Sequence, residues 1–124
     1  GAVRKQELIG RAGGCYSSSE VAALLRISVS AVNLRKKRRR ILTVPLTGGE
    51  AGFPARQFAE SDVRAGVAEV VQAAGEMNPW VLLSILLAPV DDPDGPVLLD
   101  RLDDERVRTD ALGRVQSYGV HGAG

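Results

Sequence analysis

The sequence predicts a mainly α-helical protein, in which an N-terminal helix-turn-helix with a small β-hairpin precedes a C-terminal helical lobe. Three observations carry that expectation. Two short apolar segments each begin after a serine suited to a helix N-cap, Ser17 and Ser28. Two β-prone segments flank a glycine-rich turn at 47–52. From residue 60 onward, apolar residues recur at helical spacing. The two regions therefore divide as 1–59 and 60–124.

Residues 3–12 predict a short helix ended by Gly13-Gly14. Ser17-Ser18-Ser19-Glu20 fits a capping box, in which the Ser17 hydroxyl accepts from the Glu20 N–H and the Glu20 carboxylate reaches back. Val21, Leu24 and Leu25 then share a face, which predicts a helix over 18–25. After a tight turn at Arg26-Ile27, Ser28 caps a second helix that runs into Arg35–Arg40. Its Val29 and Val32 are expected inward, and Ser30, Ala31, Asn33 and Leu34 outward. Ile41–Leu46 and Phe53–Phe58 predict a hairpin, with Pro45 and Pro54 at edge positions because proline cannot donate to a ladder. A hairpin in that place is a wing.

Ser61 is the expected cap of a helix through Val63, Val67, Val70, Val71 and Ala74, ended by Gly75. Asn78 caps the next helix, with Pro79 at its first position. Trp80–Ala88 is apolar nearly all round, so it predicts a buried helix, stopped by Pro89. A loop at Asp91–Pro96 leads to a short helix over Val97–Leu102. The last helix starts near Asp103 or Asp104, buries Val107, Ala111, Val115 and Tyr118, and ends at Gly119.

Charge is distributed unevenly along the chain. Residues 1–40 hold ten of the sixteen Lys and Arg against two acids, Glu7 and Glu20, whereas 41–124 hold six arginines and thirteen acids. The net charge of +1 hides that asymmetry. A basic N-terminal surface suits a polyanion. In a helix-turn-helix, Ser30 and Asn33 would meet base edges in the major groove, Asn being suited to adenine. Ser28, Ala31 and Leu34 border them, and Arg35, Lys36, Lys37, Arg38, Arg39 and Arg40 would bind phosphates. Two bland readings stand beside this one: a purely structural helical hairpin, and a nuclear import signal in the basic run.

The same residues argue against catalysis. One cysteine, Cys15, and one histidine, His121, leave no thiolate cluster and no usual metal or acid–base set. No nucleophile elbow and no phosphate loop occurs. Asp91, Asp92, Asp94 and Gly95 suggest a calcium loop, but that register puts Val90 and Arg101 where acids are required. The expectation is a non-enzyme without cofactor or metal. No apolar run approaches the roughly 20 residues that cross a bilayer, so no membrane partner is expected, and the cytoplasm is the expected location. Trp80 reads equally as core or interface anchor, and 116–124 as a frayed terminus or a plug that orders on a partner.

The order of parts resembles the MbcA/ParS/Xre-type antitoxins, which neutralise RES-domain toxins in bacterial type II toxin–antitoxin pairs. The matching stretches are Ser17–Leu25 with Ile27–Asn33, Leu42–Leu46, Phe53–Phe58, Asn78-Pro79-Trp80 with its Leu-rich helix, and Leu98–Leu102 through Ser117-Tyr118-Gly119. The chain departs from the family pattern at Leu34, at Gly95 before Pro96, and in the length of its basic run. The resemblance implies a homodimeric operator binder that represses its own operon within a toxin–antitoxin hetero-oligomer. It also implies that the C-terminal region covers the active site of an NAD-consuming or ADP-ribosylating toxin, through Trp80, Arg108, Arg114, Gln116, Tyr118, Val120 and His121. The alternative is a plain helix-turn-helix transcriptional regulator whose C-terminal half dimerises or senses a ligand.

Overall fold

The computed structural model describes the backbone of residues 2–122 and the side chains of residues 4–118. The described residues are mainly helical, with a small antiparallel sheet. Helix α1 (Ala2–Arg11) turns at Gly13 and Gly14, whose φ of 78° and 89° only glycine adopts freely, into strand β1 (Cys15–Tyr16). Helix α2 (Ser18–Leu25) starts with the expected capping box: Ser17 Oγ accepts from the Glu20 N–H at 3.1 Å, and Glu20 Oε1 accepts from the Ser17 N–H at 2.9 Å. It ends as Arg26 enters the left-handed region (φ 56°), with the Ile27 N–H donating to the Ala22 carbonyl at 3.0 Å. Ser28 caps helix α3 (Val29–Lys37) by accepting from the Ala31 N–H at 3.0 Å.

Strands β2 (Val44–Pro45) and β3 (Ala51–Pro54) form the expected hairpin, but β1 adds to its other side. The order is β1-β3-β2, with Tyr16 opposite Phe53 and Val44 opposite Gly52. Pro54 therefore lies at the end of a central strand rather than on an edge. The ladder tolerates it because the next donor, the Ala55 N–H, reaches the Gly14 carbonyl at 2.9 Å. The segment expected as one strand from Phe53 to Phe58 is broken after Pro54 by a 3-10 turn at Ala55–Gln57. Buried Gln57 then clamps Leu42: its Nε2 donates to the Leu42 carbonyl and its Oε1 accepts from the Leu42 N–H, both at 2.8 Å.

Strands β4 (Phe58–Ala59) and β5 (Asp62–Val63) make a second hairpin where a helix cap was expected at Ser61. Glu60 and Ser61 both have positive φ (51° and 66°), the two-residue turn whose twist matches paired strands. Helix α4 (Val67–Ala74) consequently starts at Gly66, where a Cβ would stand 2.7 Å from the Leu102 carbonyl oxygen. Asn78 caps α5 (Pro79–Leu86) as expected, its Oδ1 accepting from the Trp80 N–H at 2.8 Å. A 3-10 turn at Leu98–Arg101 precedes α6 (Glu105–Gly122), which continues past the expected stop at Gly119. A single glycine weakens a helix by about 1 kcal/mol without ending it.

Two apolar clusters hold these elements. One joins Leu8 of α1, Ala12, Leu42 and Val44 to the inward residues of α4, α5 and α6, so it draws on both sides of residue 59. The other packs Val21, Ala22, Val32 and Ile41 around Phe53 and Phe58, with Tyr16 edge-on to Phe58 at 5.7 Å. Two apolar residues expected inside are outside. Val29, in the first turn of α3, is 42% exposed, because that helix fully buries only Val32. Tyr118 is 43% exposed although Val107, Ala111 and Val115 on the same stripe are buried. At 1.5 Å per residue, the 18-residue α6 outruns its eight-residue partners α4 and α5.

An ion pair fastens the two 3-10 turns. Arg56 Nε and Nη2 donate to Asp100 Oδ1 and Oδ2 at 2.8 and 2.9 Å, and Asp100 Oδ2 also accepts from the Val97 N–H at 2.9 Å. Burial pushes the Asp100 carboxyl up, but hydrogen bonds from Arg56 and Val97, with the charges of Arg56 and Arg64, outweigh it and hold the group below its ordinary value.

Two predictions follow from this geometry. Arg26→Gly removes the left-handed strain at the end of α2 and should stabilise the protein by about 1 kcal/mol, read as a raised urea midpoint. Because the folded pKa of Asp100 is depressed, its contribution is complete well above the unfolded value of about 3.9 and is lost as pH falls through the lower folded value. Asp100→Asn should cost about 2 kcal/mol at pH 7 and flatten the loss of stability on acidification, measured by urea unfolding at a series of pH values.

Candidate nucleic-acid interface

Helix α3 presents one clean outward face. Ser30, Asn33, Leu34 and Lys37 fall at i, i+3, i+4 and i+7, and all four are exposed, Leu34 at 44%. Ala31 is half-buried. Ser28 is exposed, but its hydroxyl oxygen is engaged in the cap. The face thus combines a hydroxyl, an amide, an apolar branch and a cation, a set able to read hydrogen-bonding edges and methyl groups together.

The six cations expected to continue the helix are divided by a change of backbone direction. Helix α3 stops at Lys37, and Arg39 enters the left-handed region at φ 56°. The Arg40 N–H donates to the Arg35 carbonyl at 2.9 Å and the Arg39 N–H to the Lys36 carbonyl at 3.1 Å, closing the turn. Arg39 consequently swings to the turn that follows α4, where its guanidinium pairs with Glu76. Lys36 and Arg39 border a cavity of about 390 Å³ between the end of α3, the β2–β3 hairpin and the end of α4, with Leu42, Val71 and Leu82 in its wall. Arg35, Arg38 and Arg40 line a different cleft, together with Arg64. Arg64 is absent from the residues the sequence singles out. It is an isolated arginine in the acid-rich half, and only the β4–β5 hairpin carries it to α3.

The C-terminal residues named from the resemblance do not form one surface. Trp80 is buried at 9% exposure, its indole N–H without a partner among the described residues and the Lys5 ammonium 5.5 Å from its ring centroid. Arg108 is half-buried and structural: its Nη1 donates to the Leu102 carbonyl at 2.9 Å, and its Nε lies 3.3 Å from Glu69 on α4. Arg114 pairs with Asp110 one turn back along α6, at 3.0 Å. Arg114, Gln116 and Tyr118 are exposed, but only Arg114 and Tyr118 share a face of α6, at i and i+4, and Gln116 lies on the other side of buried Val115. Val120 and His121 lie outside the residues whose side chains are described. Burial pushes the thiol of half-buried Cys15 up, away from the thiolate that would react. The Asp91–Gly95 segment is an exposed turn, in which Asp92 Oδ1 accepts from the Asp94 N–H at 2.9 Å.

Among the described residues, no helix is long and apolar enough to cross a membrane. Comparison of the chain with family models, curated proteins and solved structures finds no match.

Proposed function

We propose that this chain is an antitoxin of the MbcA/ParS/Xre type. In this reading it neutralises a RES-domain toxin by covering an active site that consumes NAD or transfers ADP-ribose from it, and it represses its own operon as a DNA-binding homodimer within the toxin–antitoxin complex. Helices α2 and α3 act as a helix-turn-helix and the β2–β3 hairpin as its wing. The observation that carries the reading is the outward face of α3, where Ser30, Asn33, Leu34 and Lys37 stand exposed at helical spacing behind a capped, tightly turned partner helix. The exposed end of α6, with Arg114, Gln116 and Tyr118, supports the toxin-covering part. A segment seated over the toxin's pocket excludes substrate, so inhibition needs no chemistry from this chain.

The cavity bordered by Lys36 and Arg39 favours a second reading, a plain transcriptional regulator that senses a small ligand where α3, the hairpin and α4 meet.

Co-expression with an adjacent RES-type reading frame, followed by size-exclusion chromatography and a growth readout, separates the two. The antitoxin reading expects a stable complex and rescued growth. A chain ending at Gln116 keeps buried Val107, Ala111 and Val115 and should retain its thermal midpoint while failing to rescue; a shortened chain that still rescues rejects the covering role. Asn33→Ala should reduce the preference for the chain's own promoter over random duplex by about tenfold in competition binding, the effect of losing one paired base contact. An unchanged preference removes Asn33 from base reading.

A further inference from the structure

We propose that Arg35, Arg38, Arg40 and Arg64 form a phosphate-binding cleft that adjoins the outward face of α3 at Leu34. The cleft is about 510 Å³ in volume, and small residues of the β5–α4 connection, Ala65 and Gly66, leave it open. Four arginines line it, and no carboxylate does among the described residues. None of the four is ion-paired among the described residues, although residues 41–124 supply thirteen acids. The nearby Asp62 directs Oδ1 at its neighbour, the Val63 N–H, at 2.7 Å.

Three of the four are held by the fold. The hydrogen bond from the Arg40 N–H to the Arg35 carbonyl brings the two ends of the α3 turn to the same side. Arg64 Nε donates to the Arg56 carbonyl at 2.7 Å, which anchors the guanidinium and leaves its terminal nitrogens without a hydrogen-bond partner among the described residues. Arg56 is itself fixed by Asp100. Like charges lining one cleft repel, and the arrangement is relieved by a compact multivalent anion. Planar guanidinium donors match phosphate oxygens in pairs, so phosphate is the ligand class this set fits. The cleft asks only for phosphate, so it stands apart from the operator reading: the source is either the backbone of a DNA duplex or a free phosphate compound.

The test uses the full chain with two probes. A fluorescent random-sequence duplex is titrated over a range of potassium chloride concentrations, and sodium pyrophosphate is titrated by calorimetry. Arg38→Gln and Arg64→Gln are compared with Arg39→Gln, whose side chain points to Glu76. If the source is DNA, each of the first two lowers the log–log salt slope by about 0.9, the share of one phosphate, while Arg39→Gln leaves it unchanged. If the source is a free phosphate compound, pyrophosphate binding weakens about tenfold in the same two variants. Arg38 is exposed and makes no side-chain bond among the described residues, so its variant remains decisive should Arg64→Gln disturb the fold. Pyrophosphate binding that depends on these arginines without any duplex binding keeps the cleft and rejects the DNA reading. Slopes and pyrophosphate affinities equal to wild type in Arg38→Gln overturn the cleft.

Discussion

The bidentate pair between Arg56 and Asp100 is the constraint on which the rest of the arrangement depends. Arg56 leaves the central strand of the sheet, and Asp100 sits in the 3-10 turn that launches α6. Around that pair converge the Arg11 carbonyl, accepting from Arg56 Nη1 at 3.0 Å, the Val97 N–H, and the anchored Arg64. One side chain thereby references α1, the sheet, the approach to α4 and the approach to α6 to each other. Apolar packing supplies most of the driving force, but it is not directional. The charged hydrogen bonds fix which turn meets which.

A second constraint is electrostatic. A run of six cations continuing a helix would wind around it, since side chains advance about 100° per residue. The left-handed residue at Arg39 separates them instead, sending Arg39 to Glu76 and leaving Arg35, Arg38 and Arg40 with Arg64. The surface pair is worth about 1 kcal/mol or less, so its role is positional. It turns one cation away from Arg35, Arg38 and Arg40 and toward the cavity between α3 and the C-terminal helices.

Much of the helical pattern was legible because its causes are local. The capping box at Ser17, the cap at Ser28 and the Asn78-Pro79 start of α5 are satisfied within three residues of the capping side chain, so spacing alone reveals them. The β4–β5 hairpin was not legible, since Glu60-Ser61 lacks the asparagine and glycine that usually mark positive φ in such turns. Likewise the added strand β1 is two residues long and is defined only by pairing with β3. Of the candidate interface, the outward residues of α3 followed from helical period. Arg64 carried no local sign.

What the sequence by itself determined is the starts of α2, α3 and α5, the hairpin around 47–52 and the asymmetry between a basic first third and an acidic remainder. These depend on hydrogen bonds within a few residues and on charge counts. Tertiary structure alone decided that α1 shares a core with the C-terminal helices, that Trp80 is buried beneath Lys5, and that Tyr118 is left exposed where α6 outruns α4 and α5. It also decided which cations face a common cleft. Each of these depends on contacts between residues far apart in the chain, and periodicity gives the face of a helix but not the length of what packs against it.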